Sequence, residues 1–415
     1  MEDTQAISYY SPAFYQNPYK RFQQFIEKGE IHRVKFPSGV YGWLVTGYDA
    51  AIRTLKHPNI RKSHKVGNAH WSKLASVMPE PQHTRLQQHL LHQDPPRHTE
   101  MRSLIMEAFS SSRIEQFRDK ITTIVHQLIE PLIESGECDL IADFALPMPF
   151  LVLSEVIGLS EKHRKQFKPE WCKAVQPLSP SHPGHAGYLN LLDELHSYIE
   201  SVIIESRDDD PDRLIVQLIS ARDNNKLSHD ELTSILFQLL VAGQEPVTNQ
   251  IGNAILALLE HPEQLEALKQ DATNMDNALT ELLRYDGSFA FTTWRFFNQE
   301  TEWLGQTIPA GEAIIVALNA ANHDPEKFSC PHQLNFNRKR NKSLSFGYAN
   351  HFCPAMPLAR LELEISISAI LQYLPNIQLA CDIKELDWIN AVLTRGLHAL
   401  PVTYTPKLKT YLIHF

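Results

Sequence analysis

The stretch SFGYANHFCPAMPLARLE, residues 345 to 362, sets one cysteine between a glycine-containing turn and the start of an apolar run. Small and aromatic residues alternate before Cys353, as they do in tight, irregular loops. After it, Leu358, Ala359, Leu361, Leu363, Ile365 and Ile370 supply the apolar positions of a buried helix. Pro354 and Pro357 fall close to its first turn, where a missing backbone N–H matters least. A sulfur there lies near the positive end of a helix dipole, which favours thiolate over thiol. The plainer reading is a core cysteine, because free cysteine is among the most buried residue types.

The chain has 415 residues, 43% hydrophobic and 21% charged, which suffices for a large core and argues against disorder. Its length admits two or three domains or one large enzyme domain. No internal repeat or change of composition marks a boundary, so residues 1–415 are expected to form a single domain. The N-terminal MEDTQAISYYSPAFYQNPYKRF has no apolar segment of the signal-peptide kind, and no apolar run reaches membrane-spanning length. A cytoplasmic protein with no membrane partner is expected. The five cysteines, Cys138, Cys172, Cys330, Cys353 and Cys381, show no CxxC spacing, which argues against a zinc ribbon or a disulfide framework. A formal net charge of −9 argues against a nucleic-acid partner.

Residues 30 to 46 read as short strands around a Pro-Ser-Gly turn. From 97 to 285 the pattern is almost wholly one of amphipathic helices with short polar breaks. Strand-like sequence returns at 288 to 317 and near 388 to 404. The Pro/Gly/His-rich segment 177 to 187 is either a plain solvent loop or a mobile lid.

A long helix is predicted from Leu227, where Ser228 and Glu231 fit a capping box, through about Leu259. It is apolar on so many sides that it should run through the core. In its middle stands AGQEPVTN, residues 242 to 249. Pro246 cannot donate to the carbonyl of Ala242, so a kink or local opening is expected. Glu245 should border a pocket or water, since carboxylates are rarely buried without a partner; otherwise the kink is merely structural. Glu281 and Arg284 can pair on one helical face, which taken alone is an ordinary surface pair. His98 and Arg102 share a face behind Asp94-Pro-Pro and could hold an anionic group or simply be solvated.

Taken together and in order, these pieces resemble the cytochromes P450 of the soluble bacterial type. The loop matches the family's cysteine motif at Phe346, Gly347, His351, Cys353, Leu358, Ala359 and Arg360, and departs from it at Ala349 and Ala355, where glycine is usual. Glu281/Arg284, AGQEP, Asp94-Pro-Pro-x-His98-x-x-x-Arg102, Arg295, ANHDPEKF at 321 to 328 and Arg395-Gly396 match further motifs in register.

The resemblance implies a mainly α fold with small β-sheets (α+β) and a long central helix over a haem b. Cys353 would be the axial metal ligand, with Phe346 packed beside the sulfur. His98, Arg102, Arg295 and His351 would hold the propionates. The expected activity is insertion of one oxygen atom from O2 into a small hydrophobic substrate, in secondary metabolism on a polyketide, peptide or fatty-acyl intermediate. The alternatives are a peroxide-driven peroxygenase and a non-catalytic haem-binding protein. Catalytic roles would fall on Glu245, Pro246 and Thr248. Pro246 stands where the family usually has Thr, and Thr248 lies about 200° further around an ideal helix from it. Peroxygenases also carry that proline, but have Arg where this chain has Glu245. Substrate contacts would come from 64 to 92, Phe237 to Gly243, Ser288 to Thr293 and Val392 to Thr394. Phe237, Val241, Ala242, Phe289, Phe291 and Leu393 are the candidates, though each also suits a plain core. Electrons would come from a separate ferredoxin or flavodoxin, with Arg338-Lys339-Arg340-Asn341-Lys342 as a docking patch or a solubilising charge run.

Overall fold

The computed structural model describes residues 7–8, 12–75, 78–175, 177–178, 182–207 and 209–407. Its sheet begins with Ile7–Ser8 (β1), Ile31–Lys35 (β2) and Tyr41–Val45 (β3). It continues with Ile60–Arg61 (β4), Arg295–Phe297 (β5) and Ala313–Val316 (β6), in the spatial order β1-β2-β3-β6-β5-β4. β2 and β3 pair antiparallel from Ile31↔Val45 to Lys35↔Tyr41 around the expected Pro-Ser-Gly turn. β3 then pairs parallel with β6, so segments far apart in sequence share one sheet. Val34, Leu44, Ile315 and Phe296 bury one face of it against Phe22 and Phe25 of the helix Tyr19–Lys28 (α1).

Most of the rest is helical, beside a three-stranded and a two-stranded sheet. Arg97–Met106 (α2), Arg118–Ile129 (α3), Pro147–Ile157 (α4) and His185–Glu205 (α5) precede the central pair. That pair is His229–Ala242 (α6) and Glu245–Glu260 (α7), followed by Met275–Tyr285 (α8) and Met356–Tyr373 (α9). Among the described residues, no helix is long and apolar enough to cross a membrane.

The predicted capping box is present: Ser228 N–H donates 2.7 Å to Glu231 Oε2, and Glu231 N–H donates 3.1 Å to Ser228 Oγ. The expected continuous helix is two helices. At Pro246 the ladder has no donor for Ala242, and the chain passes through Gly243 and Gln244 before α7 begins. Gly243 is needed there, since a Cβ would sit 2.7 Å from both Leu153 Cδ2 and Leu239 O. α7 is buried on nearly every side, including polar Asn249, Gln250 and Asn253. Two of those amides hold loops: Gln250 Oε1 accepts from Ser288 N–H at 2.9 Å, and Asn253 Nδ2 donates 3.1 Å to Arg395 O.

Among the described residues, the stretch 97 to 285 holds one strand, Glu137–Asp139, which pairs with Pro401–Thr403. Of the segment 177 to 187, residues 179–181 lie outside the described residues, and His185 already begins α5.

Candidate active site

Cys353 follows a single 3-10 turn, Ala349–His351, and precedes α9. Its N–H donates 2.9 Å to Phe346 O, closing the loop back on the residue expected beside the sulfur. Two positions make the turn left-handed, Gly347 at φ 75° and Ala349 at φ 60°. Ala355, the other departure from glycine, sits at φ −91° and needs no such freedom. Burial raises the Cys353 pKa, opposed by the Ala355 backbone N–H and the positive charge of Arg102. Burial outweighs the helix terminus, so this thiol stays protonated unless a cation takes its place.

Around the loop gather more cations than anions. Arg295, 6% exposed, donates only 3.3 Å to Thr293 O, and desolvation lowers its pKa to about 10. Lys62, 2% exposed, donates 2.8 Å to Trp294 O. Burial and then Arg295 hold its pKa well below the ordinary value. His98 has a buried Nε2 with no partner, and its ring lies 4.3 Å from that of His351. Desolvation lowers the His351 pKa far below the ordinary range, with Lys62, Arg295, His98 and Arg102 adding to it. Asp94 offsets this group only in part: its two oxygens accept from the backbone N–H groups of Lys62 and Ser63 at 2.9 and 3.1 Å, and its charge raises the Lys62 and Arg295 pKa values less than burial lowers them. Buried cations that outnumber their counter-ions form a cradle for an anionic ligand. Lys62 gives no signal in the sequence; a lone lysine in a loop reads as solvated until the fold encloses it.

On the far side of α7, Glu245 is largely buried, and desolvation raises its pKa against the opposing hydrogen bond from Thr394. Thr394 Oγ1 donates 2.8 Å to Glu245 Oε1. Thr248 faces elsewhere, as expected from its angle: its hydroxyl donates 3.0 Å to Ala145 O in the π-helical turn Ile141–Ala145. Of the apolar candidates, Phe237 and Val241 are 1% exposed and packed in the helical core, and Phe237 stacks on His89 at 6.0 Å. Phe291 is held in the sheet core, 5.8 Å from Phe22. Ala242, Phe289 and Leu393 keep accessible surface.

Glu281 and Arg284 do not form a surface pair. Both are fully buried, with Arg284 Nε and Nη2 each donating 2.8 Å to the carboxylate. Arg338 of the supposed docking patch also turns inward and donates 3.0 Å to Glu281. The exposed part of that patch is therefore Lys339, Arg340 and Lys342.

The family model for cytochrome P450 matches residues 10–375. The chain belongs to the cytochrome P450 family. It is 35% identical over 395 residues to the cytochrome P450 monooxygenase PikC of Streptomyces venezuelae, covering 94% of this chain and 92% of that one. It is 36% identical over 396 residues to the polyketide biosynthesis cytochrome P450 PksS of Bacillus subtilis, covering 94% and 96%. A myxobacterial cytochrome P450 crystallised with myristic acid superposes with a TM-score of 0.90 at 31% identity, covering 95% of this chain and 98% of the other.

As a cytochrome P450 the chain is a haem-thiolate monooxygenase using haem b. Its residues fit that group on three observations: a cysteine whose desolvation disfavours a free thiolate, a cradle in which cations outnumber anions, as suits two propionates, and an orphaned imidazole nitrogen at His98. Among the described residues, no three His, Cys, Asp or Glu side chains are arranged to hold a metal ion.

Proposed function

We propose that this P450 oxidises a hydrophobic intermediate of bacterial secondary metabolism, a polyketide, peptide or fatty-acyl chain, as a cytoplasmic single-domain enzyme. The relationship over nearly the full length to PikC and to PksS, which is named for polyketide biosynthesis, supports this reading. When bound, haem supplies the iron at which O2 is reduced by two electrons, one oxygen atom going to substrate and the other to water.

The chain's own residues do the rest. Cys353 ligates the metal as thiolate, with Phe346 excluding water from the sulfur and the Ala355 N–H donating to it. His98, Arg102, Arg295 and His351, joined by Lys62, hold the propionates. Glu245 is the acid that supplies protons on the substrate side; burial raises its pKa and so favours its protonated form over that of a solvated carboxylate. Ala242, Phe289 and Leu393 present apolar surface to the substrate, and Phe237, Val241 and Phe291 set the wall behind them. Electrons come from a separate ferredoxin or flavodoxin.

A peroxide-driven reaction is the second reading, favoured by Pro246, which removes the usual hydroxyl from the helix. Glu245 opposes it, since no cation stands there to capture a substrate carboxylate. Turnover with a reductase and ferredoxin, against turnover with hydrogen peroxide alone, separates the two. Product only from peroxide would overturn the monooxygenase reading. The substrate class is tested by screening polyketide, peptide and fatty-acyl ligands for displacement of the iron-bound water, read as a Soret shift.

A further inference from the structure

The hydroxyl missing at Pro246 has a counterpart in a segment distant in sequence. Thr394 lies in the loop before the final strand, where it forms an antiparallel bridge with Phe289. Its Oγ1 donates 2.8 Å to Glu245 Oε1, joining the acid to a segment 149 residues away in sequence. Backbone contacts set that approach independently of the pair itself. Ala290 N–H donates 2.9 Å to Leu393 O, and Arg395 N–H donates 2.8 Å to Ser288 O. Asn253 of α7 holds Arg395 O, and Gly396 presses on α7 so closely that a Cβ would sit 2.2 Å from Asn249 Oδ1. Thr248, the remaining hydroxyl of the segment, is committed to Ala145 O.

We infer that Thr394 is a positioning residue for Glu245, supplying from the facing loop the hydroxyl that Pro246 removes from the helix. The inference rests on the reading of Glu245 as the proton-delivering acid. With one carboxyl oxygen held, the direction of the other is set as well. The hydroxyl donates while Glu245 is ionised and accepts once it is protonated, so one contact serves both states. Among the described residues, the titratable group that feels the acid's charge is Cys172, from the short helix Pro169–Val175. Its thiol donates 2.8 Å to Gln244 Oε1. Burial, with Glu245 adding to it, pushes that thiol up to about 12, so it stays neutral. Among the described residues no cation pairs with Glu245, which leaves Thr394 as the group that orients it.

The test compares Thr394→Val, which keeps the shape and removes the hydroxyl, with Thr394→Ser, which keeps the hydroxyl, both as holoenzymes beside Glu245→Gln. An infrared titration follows the protonated-carboxyl band assigned by its loss in Glu245→Gln. Because a hydrogen bond to the ionised form lowers a carboxyl pKa, Thr394→Val should raise the midpoint by about one to two units, and Thr394→Ser should leave it near the parent value. In reductase-driven turnover, Thr394→Val should release several-fold more hydrogen peroxide per electron pair, while Thr394→Ser stays close to the parent. If Glu245→Gln uncouples turnover but Thr394→Val changes neither readout, the role of Thr394 is overturned and that of the acid stands. Equal damage in the Val and Ser variants would mean that loop packing matters, and would also overturn it. Unaltered coupling in Glu245→Gln would overturn the acid's role and this inference with it.

Discussion

Arg338 Nε lies 3.0 Å from both carboxylate oxygens of Glu281, beneath the surface and behind the pair that Glu281 makes with Arg284. Asn341 Nδ2 adds a bond of 2.8 Å and Asn335 N–H one of 3.1 Å to the same carboxylate. Arg284 spends its remaining donors on the carbonyls of Asn322, Pro331 and Gln333 at 3.0, 2.8 and 3.3 Å. One carboxylate thus ties α8 to the segment that leads into the cysteine loop.

Reversing Arg338 to Glu should therefore cost folding, on the order of 3–5 kcal/mol, because it leaves a buried carboxylate facing another. Denaturant unfolding measures this, and a loss below about 1 kcal/mol, the scale of a surface pair, would contradict it. Lys339, Arg340 and Lys342 are exposed and carry the docking question instead. Their reversal to Glu should leave stability and substrate affinity unchanged. It should also slow first electron transfer from an acidic donor and flatten its salt dependence, read by stopped-flow reduction under carbon monoxide. An unchanged rate and salt slope would place docking elsewhere.

Ala349 holds a left-handed conformation at φ 60° that glycine adopts without a Cβ penalty. Ala349→Gly should raise holoenzyme stability by about 1 kcal/mol, seen as a higher thermal midpoint. Ala355→Gly should give no gain, since its φ of −91° suits alanine. Equal effects at the two positions would rule out backbone strain as the cause.

Cys353→Ser should abolish the red-shifted carbon monoxide band that thiolate gives to reduced haem. Substitution of Cys138, Cys172, Cys330 or Cys381 by Ser should leave it in place. Retention of the band in the Cys353 variant would move the ligand to another thiol.

A cluster of imidazoles should make the fold sensitive to acid. His64 and His92 lie 4.1 Å apart, His89 and His92 4.7 Å, with His64 and His89 each pushed down to about 3 chiefly by burial. Below the ordinary imidazole value of 6.5 the unfolded chain takes up protons that these rings refuse in the fold. Stability should then fall as pH drops from 6.5 towards 3, approaching about 1.4 kcal/mol per pH unit for each ring. Urea unfolding between pH 7 and 5 should show a shallower slope in His89→Gln than in the parent chain. Identical slopes would mean that His89 takes up protons in the fold as readily as in the unfolded chain.

Local rules carry a good part of the fold and site. The capping box at Ser228, the break at Pro246, the β2–β3 turn and the helix after Cys353 each follow from a few adjacent residues, because caps, missing donors and apolar spacing act within one or two turns. The family's motifs brought the candidate ligand and the propionate contacts within reach for the same reason: each is a short pattern with its own chemistry.

Contacts between distant segments were settled by tertiary structure alone. Arg338 reads as one cation in a basic run, and Glu281/Arg284 as a helical surface pair, until α8 is buried beneath the segment before the cysteine loop. Lys62 becomes part of the anion cradle only when β4 is laid against β5 beside Arg295. Thr394 meets Glu245 because the last loop crosses α7 at Asn249 and Asn253. Burial is a property of the assembled chain, and it decides whether a charge is solvated or must find a partner, so residue type and spacing could name these groups but not say which of them would be left facing one another.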